Sequence, residues 1–308
     1  MSGEPLRGIV LGGTGGVWQV WTPDGTIRDA AIRGRLKQET GIKLAVGDDV
    51  DLEHDAPGGA WAISAIHPRR SQLARRAPGS RFGERVVVAN VDQVIVVFAF
   101  VKPEPHARMI DRFLVIAEAN GIAARLVMNK CELVDERSAR AFAAPYVLAG
   151  YPVDFTSVKG PVGLTTLHDA LADRVSALSG PSGVGKSSLL NAIYPGSNLR
   201  VGEISASVNK GRHTTVGAKL IPLPDGGFVA DTPGLREVGL WGIGMANVAS
   251  CFPEFRPFLG ECKFQDCAHN TEPGCAVHGA VTQRKISRER HTSYLMLRAE
   301  LAETEGVY

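Results

Sequence analysis

The chain has 308 residues, with 34 Lys+Arg against 32 Asp+Glu and a formal charge of +2. Hydrophobic residues make up 44% and charged residues 21%, enough apolar material for a sizeable core, so wholesale disorder and a polycationic chain are both excluded. The length predicts two or three domains of about 100–200 residues each.

From the N-terminus, residues 1–70 read as all-β. Val17–Trp21, Thr26–Ile32, Asp49–Leu52 and Trp61–Ile66 are short and partly alternating. Gly12–Gly16, Pro23-Asp24-Gly25, Gly47-Asp48 and Pro57-Gly58-Gly59 supply turns between them. The spacing predicts a small OB-like β-barrel. An Arg-rich linker follows to residue 85, and the stretch from His67 carries Arg69, Arg70, Arg75, Arg76, Arg81 and Arg85 with Glu84 its only acid. It reads either as a solvated face or as a phosphate-binding surface.

From Val86 strands and helices alternate. Val94 to Val101 is the longest apolar run, at eight residues. A membrane span needs about 20, so this run predicts a buried strand over Val94–Phe98. Ile110, Phe113, Leu114 and Ala117 fall on one face of a helix that Gly121 can cap. Ala124–Met128, Val153–Thr156, Val175–Leu178 and Phe228–Ala230 read as strands, and Leu164, Leu167 and Leu171 mark a further helix. The alternation predicts a mostly parallel sheet covered by helices. Beyond Trp241 the chain turns irregular and rich in Cys, Pro and Gly, then helical from near Thr282 to about Thr304.

The sharpest motif is Gly180-Pro181-Ser182-Gly183-Val184-Gly185-Lys186-Ser187, which fits G-x-x-x-x-G-K-[ST] between a strand and a helix over Ser188–Ile193. Its glycines let backbone N–H groups turn in around phosphate oxygens, and the following helix adds the positive end of its dipole. Lys186 can reach the β- and γ-phosphates, and the Ser187 hydroxyl can ligate Mg²⁺. Asp231-Thr232-Pro233-Gly234 follows a strand, where Asp231 can serve the same ion and the Gly234 N–H can sense the γ-phosphate. Asn129-Lys130-Cys131-Glu132 closes the strand at Met128 as a variant of N-K-x-D, the guanine-reading motif, with Glu132 one methylene longer than the usual acid. Thr156-Ser157-Val158 closes the next strand like the S-A-x loop that bonds guanine O6 through its backbone. GTPases normally run phosphate loop first and base-reading motifs last. Here the base-reading motifs come first, which defines a circularly permuted order. Cutting a loop leaves neighbouring strands in contact, so the permutation is physically tolerable.

With these motifs in place the chain resembles the family of the ribosome small-subunit-dependent GTPase A, RsgA, over essentially its whole length. The likeness includes V-A-N-V-D-Q at Val88–Gln93, G-P-S-G-V-G-K-S-S-L-L-N, G-R-H-T-T at Gly211–Thr215 and a C-terminal Cys/His cluster. That cluster is Cys262-x4-Cys267-x-His269-x5-Cys275, three thiolates and an imidazole within fourteen residues. It is a standard tetrahedral structural zinc set, the alternative being free buried cysteines. Cys131 and Cys251 read as ordinary small apolar residues.

Leu235 stands where many GTPases place a water-orienting Gln, and an apolar side chain cannot orient water. The resemblance points to His213 in this role, beside Lys186 as the second catalytic residue. It also implies Mg²⁺ held by Ser187, Thr215 and Asp231, and nucleotide contacts that reach Ser188. The implied layout is a barrel at 1–70, an Arg-rich linker at 71–85, a permuted P-loop GTPase domain at 86–241 and a zinc-binding helical domain at 242–308, with one zinc per chain. The implied activity is Mg²⁺-dependent hydrolysis of GTP to GDP, coupled to late maturation of the small ribosomal subunit. The subunit and its rRNA are bound in the GTP state. A monomer without a membrane partner is expected. The opening MSGEPLRGIV shows no secretory signal, so a cytoplasmic location is expected. Arg284, Lys285, Arg288, Arg290 and Arg298 form a second basic cluster that suits RNA. A GTP-gated RNA-binding module with incidental hydrolysis is the alternative that Leu235 favours. An ATPase is disfavoured by Asn129-Lys130.

Overall fold

In the computed structural model, which describes residues 4–34, 43–54, 59–76, 84–197, 218–231, 240 and 243–306, the alternating N-terminal segments close into a five-stranded barrel. Its strands are β1 (Leu6–Thr14), β2 (Val17–Trp21), β3 (Ile27–Ile32), β4 (Asp49–His54) and β5 (Trp61–Ile66), in the order β1-β2-β3-β5-β4. Every second side chain points inward, and Val10, Val20, Ala30, Val50, Leu52 and Ile63 form the core. The turn expected over Gly12–Gly16 is shorter than that: Gly12 and Gly13 pair with Gln19 and Trp18 and stay in the ladder, leaving Gly15-Gly16 to reverse the chain.

The stretch expected to be a linker is partly a β-ribbon. β6 (Gln72–Arg76) pairs antiparallel with β7 (Glu84–Ala89). Two of its arginines are already engaged. Arg69 donates to both oxygens of the fully buried Asp48, at 2.7 and 2.9 Å, and Arg70 pairs with Asp92 at 2.9 Å. Arg69 is therefore a structural cation and not part of a free phosphate-binding face.

Barrel and ribbon belong to the first of two compact units, Met1–Asp92 with Ala170–Leu178 and Gly196–Val238. The second takes Gln93–Asp169, Ser179–Pro195 and Gly239–Tyr308. It opens with β8 (Gln93–Ala99), buried at every position, as the long apolar run predicts. β9 (Ala123–Asn129) pairs parallel with β8 and with β10 (Val153–Thr156). α1 (Ala107–Ala119) buries the predicted face of Ile110, Phe113, Leu114 and Ala117. α2 (Glu136–Leu148) carries no strong sequence signal, because its buried face is Ala139, Ala143 and Tyr146 and it holds Pro145; Asp135 caps it by accepting from the Ser138 N–H at 2.9 Å. α3 (Leu164–Leu171) lies where its leucines predict.

β11 (Val175–Ser179) then leads into the glycine-rich motif and α4 (Lys186–Ile193). In the first unit, β12 (Lys219–Pro222) runs antiparallel to β13 (Phe228–Asp231), and β13 runs parallel to β11. The Phe228 ring meets Trp21 of the barrel edge-on at 5.2 Å.

The C-terminal helix expected from near Thr282 begins later, as α6 (Arg288–Gly306), and a short helix, α5 (Ala276–Thr282), precedes it in the stretch expected to be irregular. Arg284 adopts a left-handed backbone, with φ of 60°, between the two helices. Arg290 corrects the basic cluster read from the sequence. It is 1% exposed and donates to Asp111 of α1 at 2.6 Å and to Glu254 at 2.7 and 3.1 Å. Its guanidinium also lies 4.6 Å from the Phe252 ring centroid. Burial pushes the Asp111 carboxyl above its usual range, against the pull of Arg290. Removing one partner from such a buried group leaves the others charged and unpaired. Arg290→Met should therefore lower the unfolding free energy of the chain by about 3–5 kcal/mol in a urea titration, and unchanged stability would show that the pairing is dispensable.

Candidate functional site: a knitted phosphate loop and a Cys/His cluster

β9 ends at Asn129, and the left-handed Lys130, at φ of 59°, turns the chain into a 3₁₀ turn over Cys131–Leu133. Asn129 is 3% exposed and uses both ends of its amide. Nδ2 donates to the Val184 carbonyl in the glycine-rich loop at 2.8 Å, and Oδ1 accepts from the Thr156 hydroxyl at 3.2 Å. Lys130 Nζ donates to the Gly183 carbonyl at 2.8 Å and to the Lys102 carbonyl. Three motifs spread over more than fifty residues of sequence are thereby drawn together.

The phosphate loop needs its glycines. Gly180 has φ of 134°, and a Cβ there would lie 2.0 Å from the Val97 carbonyl of β8. Gly185 has φ of 97°, and its Cβ would lie 2.5 Å from Asn129 Nδ2. A side chain at either position would push the loop off the elements that hold it. Lys186 begins α4 and donates to the Gly180 and Pro181 carbonyls at 2.9 and 2.8 Å. Ser182 and Gly183 are exposed, as is Ser188, while Val184 is buried and anchors the loop. Pro181 and Ser187 are half-buried. Ser157 is buried, and its hydroxyl accepts from the Gly160 N–H at 3.0 Å. Val158 and Glu132 are exposed beside these loops. Burial, with Glu132 adding to it, raises the half-buried Cys131 thiol above its usual range. Asp231 closes β13 in register with Leu178. His213, Thr214, Thr215, Gly234 and Leu235 lie outside the described residues, as does Arg81.

The second site is the Cys/His cluster. Cys262 Sγ and Cys275 Sγ lie 3.5 and 3.7 Å from His269 Nδ1 and 4.0 Å from each other. With Cys267, all four ligand atoms fall within 4.8 Å. Metal–sulfur bonds of about 2.3 Å in a tetrahedron give sulfur–sulfur edges of about 3.8 Å, so the donors are spaced as a metal ion requires. Backbone N–H groups of Ala276 and His278 donate to the Cys262 and Cys275 sulfurs at 3.4 and 3.3 Å, which favours thiolates. Burial, with the neighbouring thiols adding to it, pushes the Cys267 thiol up to about 12, and burial lowers His269, which favours its neutral, ligating form. Residue spacing carries no sign of the surrounding shell. His291 bonds the His269 carbonyl at 2.7 Å, the Tyr294 hydroxyl donates to the Ala268 carbonyl at 2.9 Å, and Glu272 accepts from the Ala268 and Asn270 N–H groups. Cys251 is buried elsewhere, as an apolar residue would be.

Fold and site define a class: a P-loop GTPase in which the base-reading loops precede the phosphate loop in the chain. The profile of the RsgA GTPase family matches residues 66–241. The small ribosomal subunit biogenesis GTPase RsgA of Gemmatimonas aurantiaca is 60% identical over 96% of this chain and 97% of its own length. The crystal structure of YjeQ from Thermotoga maritima superposes with a TM-score of 0.81 at 33% identity, covering 96% of this chain and 98% of that one. That of YloQ, described as a circularly permuted GTPase, gives a TM-score of 0.76 at 27% identity over 98% and 96%. The chain belongs to the RsgA GTPase family.

The cluster geometry makes a direct prediction. Cys267→Ser should lose its metal on purification and loosen residues around α5 and α6, while nucleotide still binds. Metal affinity of the wild type should fall as pH is lowered, because protons compete for the thiolates. Elemental analysis across a pH series checks both, and a metal content equal in wild type and variant would refute the assignment.

Proposed function

We propose that the protein hydrolyses GTP to GDP on the small ribosomal subunit, late in the maturation of that particle, and binds the subunit and its rRNA in the GTP state. The observation that carries this reading is the Asn129 bridge to Val184 and Thr156, which unites base-reading and phosphate-binding segments. The 60% identical relative bears the name of a small ribosomal subunit biogenesis GTPase, which supports the ribosomal part.

In this reading Glu132 accepts from guanine N1 and the 2-amino group. Asn129 ties the loops, and the Lys130 stem covers the base. The Thr156-Ser157-Val158 backbone meets guanine O6. Residues 180–188 wrap the phosphates, with Lys186 countering charge on the β- and γ-oxygens. Ser187, Thr215 and Asp231 offer oxygen donors of the hard kind that Mg²⁺ prefers, and that ion would neutralise charge developing on the transferred phosphoryl group. The Gly234 N–H reports the γ-phosphate. His213 orients the attacking water, since Leu235 cannot.

The cluster ion is zinc in this reading, because three thiolates and one imidazole in a closed tetrahedral set suit it best, and it fastens the irregular stretch over residues 262–275. The working layout is a barrel over 1–70, an Arg-rich stretch over 71–85, the GTPase domain over 86–241 and the zinc domain over 242–308, acting as a cytoplasmic monomer. Among the described residues no helix is long and apolar enough to cross a membrane.

The test is GTP turnover with and without purified small subunits, with ATP as control. Subunits should raise the wild-type rate more than tenfold, at least ~1.4 kcal/mol off the barrier. His213→Ala should lose most of that rate and keep its GTP affinity. A rate indifferent to subunits at every salt concentration would contradict the ribosomal assignment.

A further inference from the structure

The stretch Val88–Gln93 takes no part in the nucleotide chemistry above, yet its side chains are engaged. Asn90 is 2% exposed and left-handed at φ of 55°. Its Nδ2 donates to the Gly47 carbonyl of the barrel at 2.9 Å, and its Oδ1 accepts from the Arg70 N–H at 2.9 Å. Ser71 reaches back, its hydroxyl donating to the Val91 carbonyl at 2.6 Å. Asp92 then makes three bonds. Its N–H donates to the Val175 carbonyl at 2.9 Å, its Oδ2 accepts from the Val175 N–H at 2.8 Å, and its Oδ1 accepts from Arg70 Nη1 at 2.9 Å. Val175 is the first residue of β11, the strand that delivers the phosphate loop. Arg69, next to Arg70, is clamped on the barrel through Asp48.

A continuous hydrogen-bonded line thus runs from the barrel through Arg69 and Arg70 to Asp92 and β11. Its outer link is exposed: the Arg70 side chain is 63% accessible and that of Asp92 30%. An exposed ion pair contributes little to stability, so folding alone gives scant reason to hold it. Packed hydrogen-bond networks of this kind can carry energetic coupling between sites. We infer that Asp92 is a positioning residue for hydrolysis, which passes contact of RNA with the barrel and ribbon to the strand that feeds the phosphate loop. This rests on the ribosomal reading above.

Asp92→Asn isolates the link. Asparagine keeps one oxygen for the Val175 N–H but turns an NH₂ toward Arg70, donor against donor. The free variant should melt within a few degrees of wild type, with GTP affinity and basal turnover within about twofold of it. The small-subunit concentration that gives half-maximal stimulation should also be unchanged. The maximal stimulated rate should fall fivefold or more, a split that a merely unstable protein would not show. Arg70→Ala should lose stimulation as well, and the double variant should be no worse than Asp92→Asn, since both cut one bond. Full stimulation of Asp92→Asn beside a responsive wild type would overturn this inference alone, and so would additive losses in the double variant. A wild type indifferent to subunits would overturn the ribosomal reading and this inference with it.

Discussion

One buried amide, that of Asn129, organises the candidate nucleotide site. Asn129 has a donor and an acceptor, and it uses the donor on the glycine-rich loop and the acceptor on Thr156 at the end of β10. A buried amide left without partners is costly, so the three segments hold one another in place. Because the tie is a side chain meeting a backbone carbonyl, and not a link along the chain, the order of the segments in sequence is free. The same requirement leaves no room at Gly185, whose Cβ would collide with the amide nitrogen. Permutation and close packing are two consequences of one contact.

The C-terminal segment meets a different constraint. It has few long elements, and two polar groupings organise it. One is the Cys/His cluster, whose four donor atoms lie within 4.8 Å of one another and could hold a metal ion. The other is Arg290, buried between Asp111 of α1 and Glu254. Phe252, Phe255 and Tyr294 pack around these groups with ring centroids 5.0–5.5 Å apart. Val248, Val277, Ile286, Leu297 and Leu301 are buried as well, so the two polar groupings sit within an apolar core.

Much of this was legible in the sequence where the signal is local. Alternation placed β2 and β5 to the residue, and the leucine spacing placed α3. Fixed spacing pointed to the glycine-rich loop before α4 and to the four Cys/His donors that the fold brings together, because such motifs depend on residue type at set offsets. Reading failed where the deciding partner is distant. A sequence counts Arg69 and Arg290 as cations but does not reveal that Asp48 and Asp111 neutralise them from 21 and 179 residues away. Nor does it reveal that Lys102 lends a carbonyl to Lys130. α2 escaped because its stability comes from a cap and one buried side rather than from a strong apolar period, and the turn at Arg284 because a left-handed arginine carries no signature.

The claim at the centre of the account is that segments out of their usual order assemble one guanine-reading site. Calorimetric titration of GTP, ITP and ATP into the wild type and into Glu132→Ala tests it most directly. GTP should bind the wild type at least tenfold more tightly than ITP, which lacks the 2-amino group, and far more tightly than ATP. Removing the charged acceptor should cost about 1.5–3 kcal/mol and bring GTP and ITP together. Equal affinity of the wild type for GTP and ATP, or undiminished GTP preference in Glu132→Ala, would contradict the account.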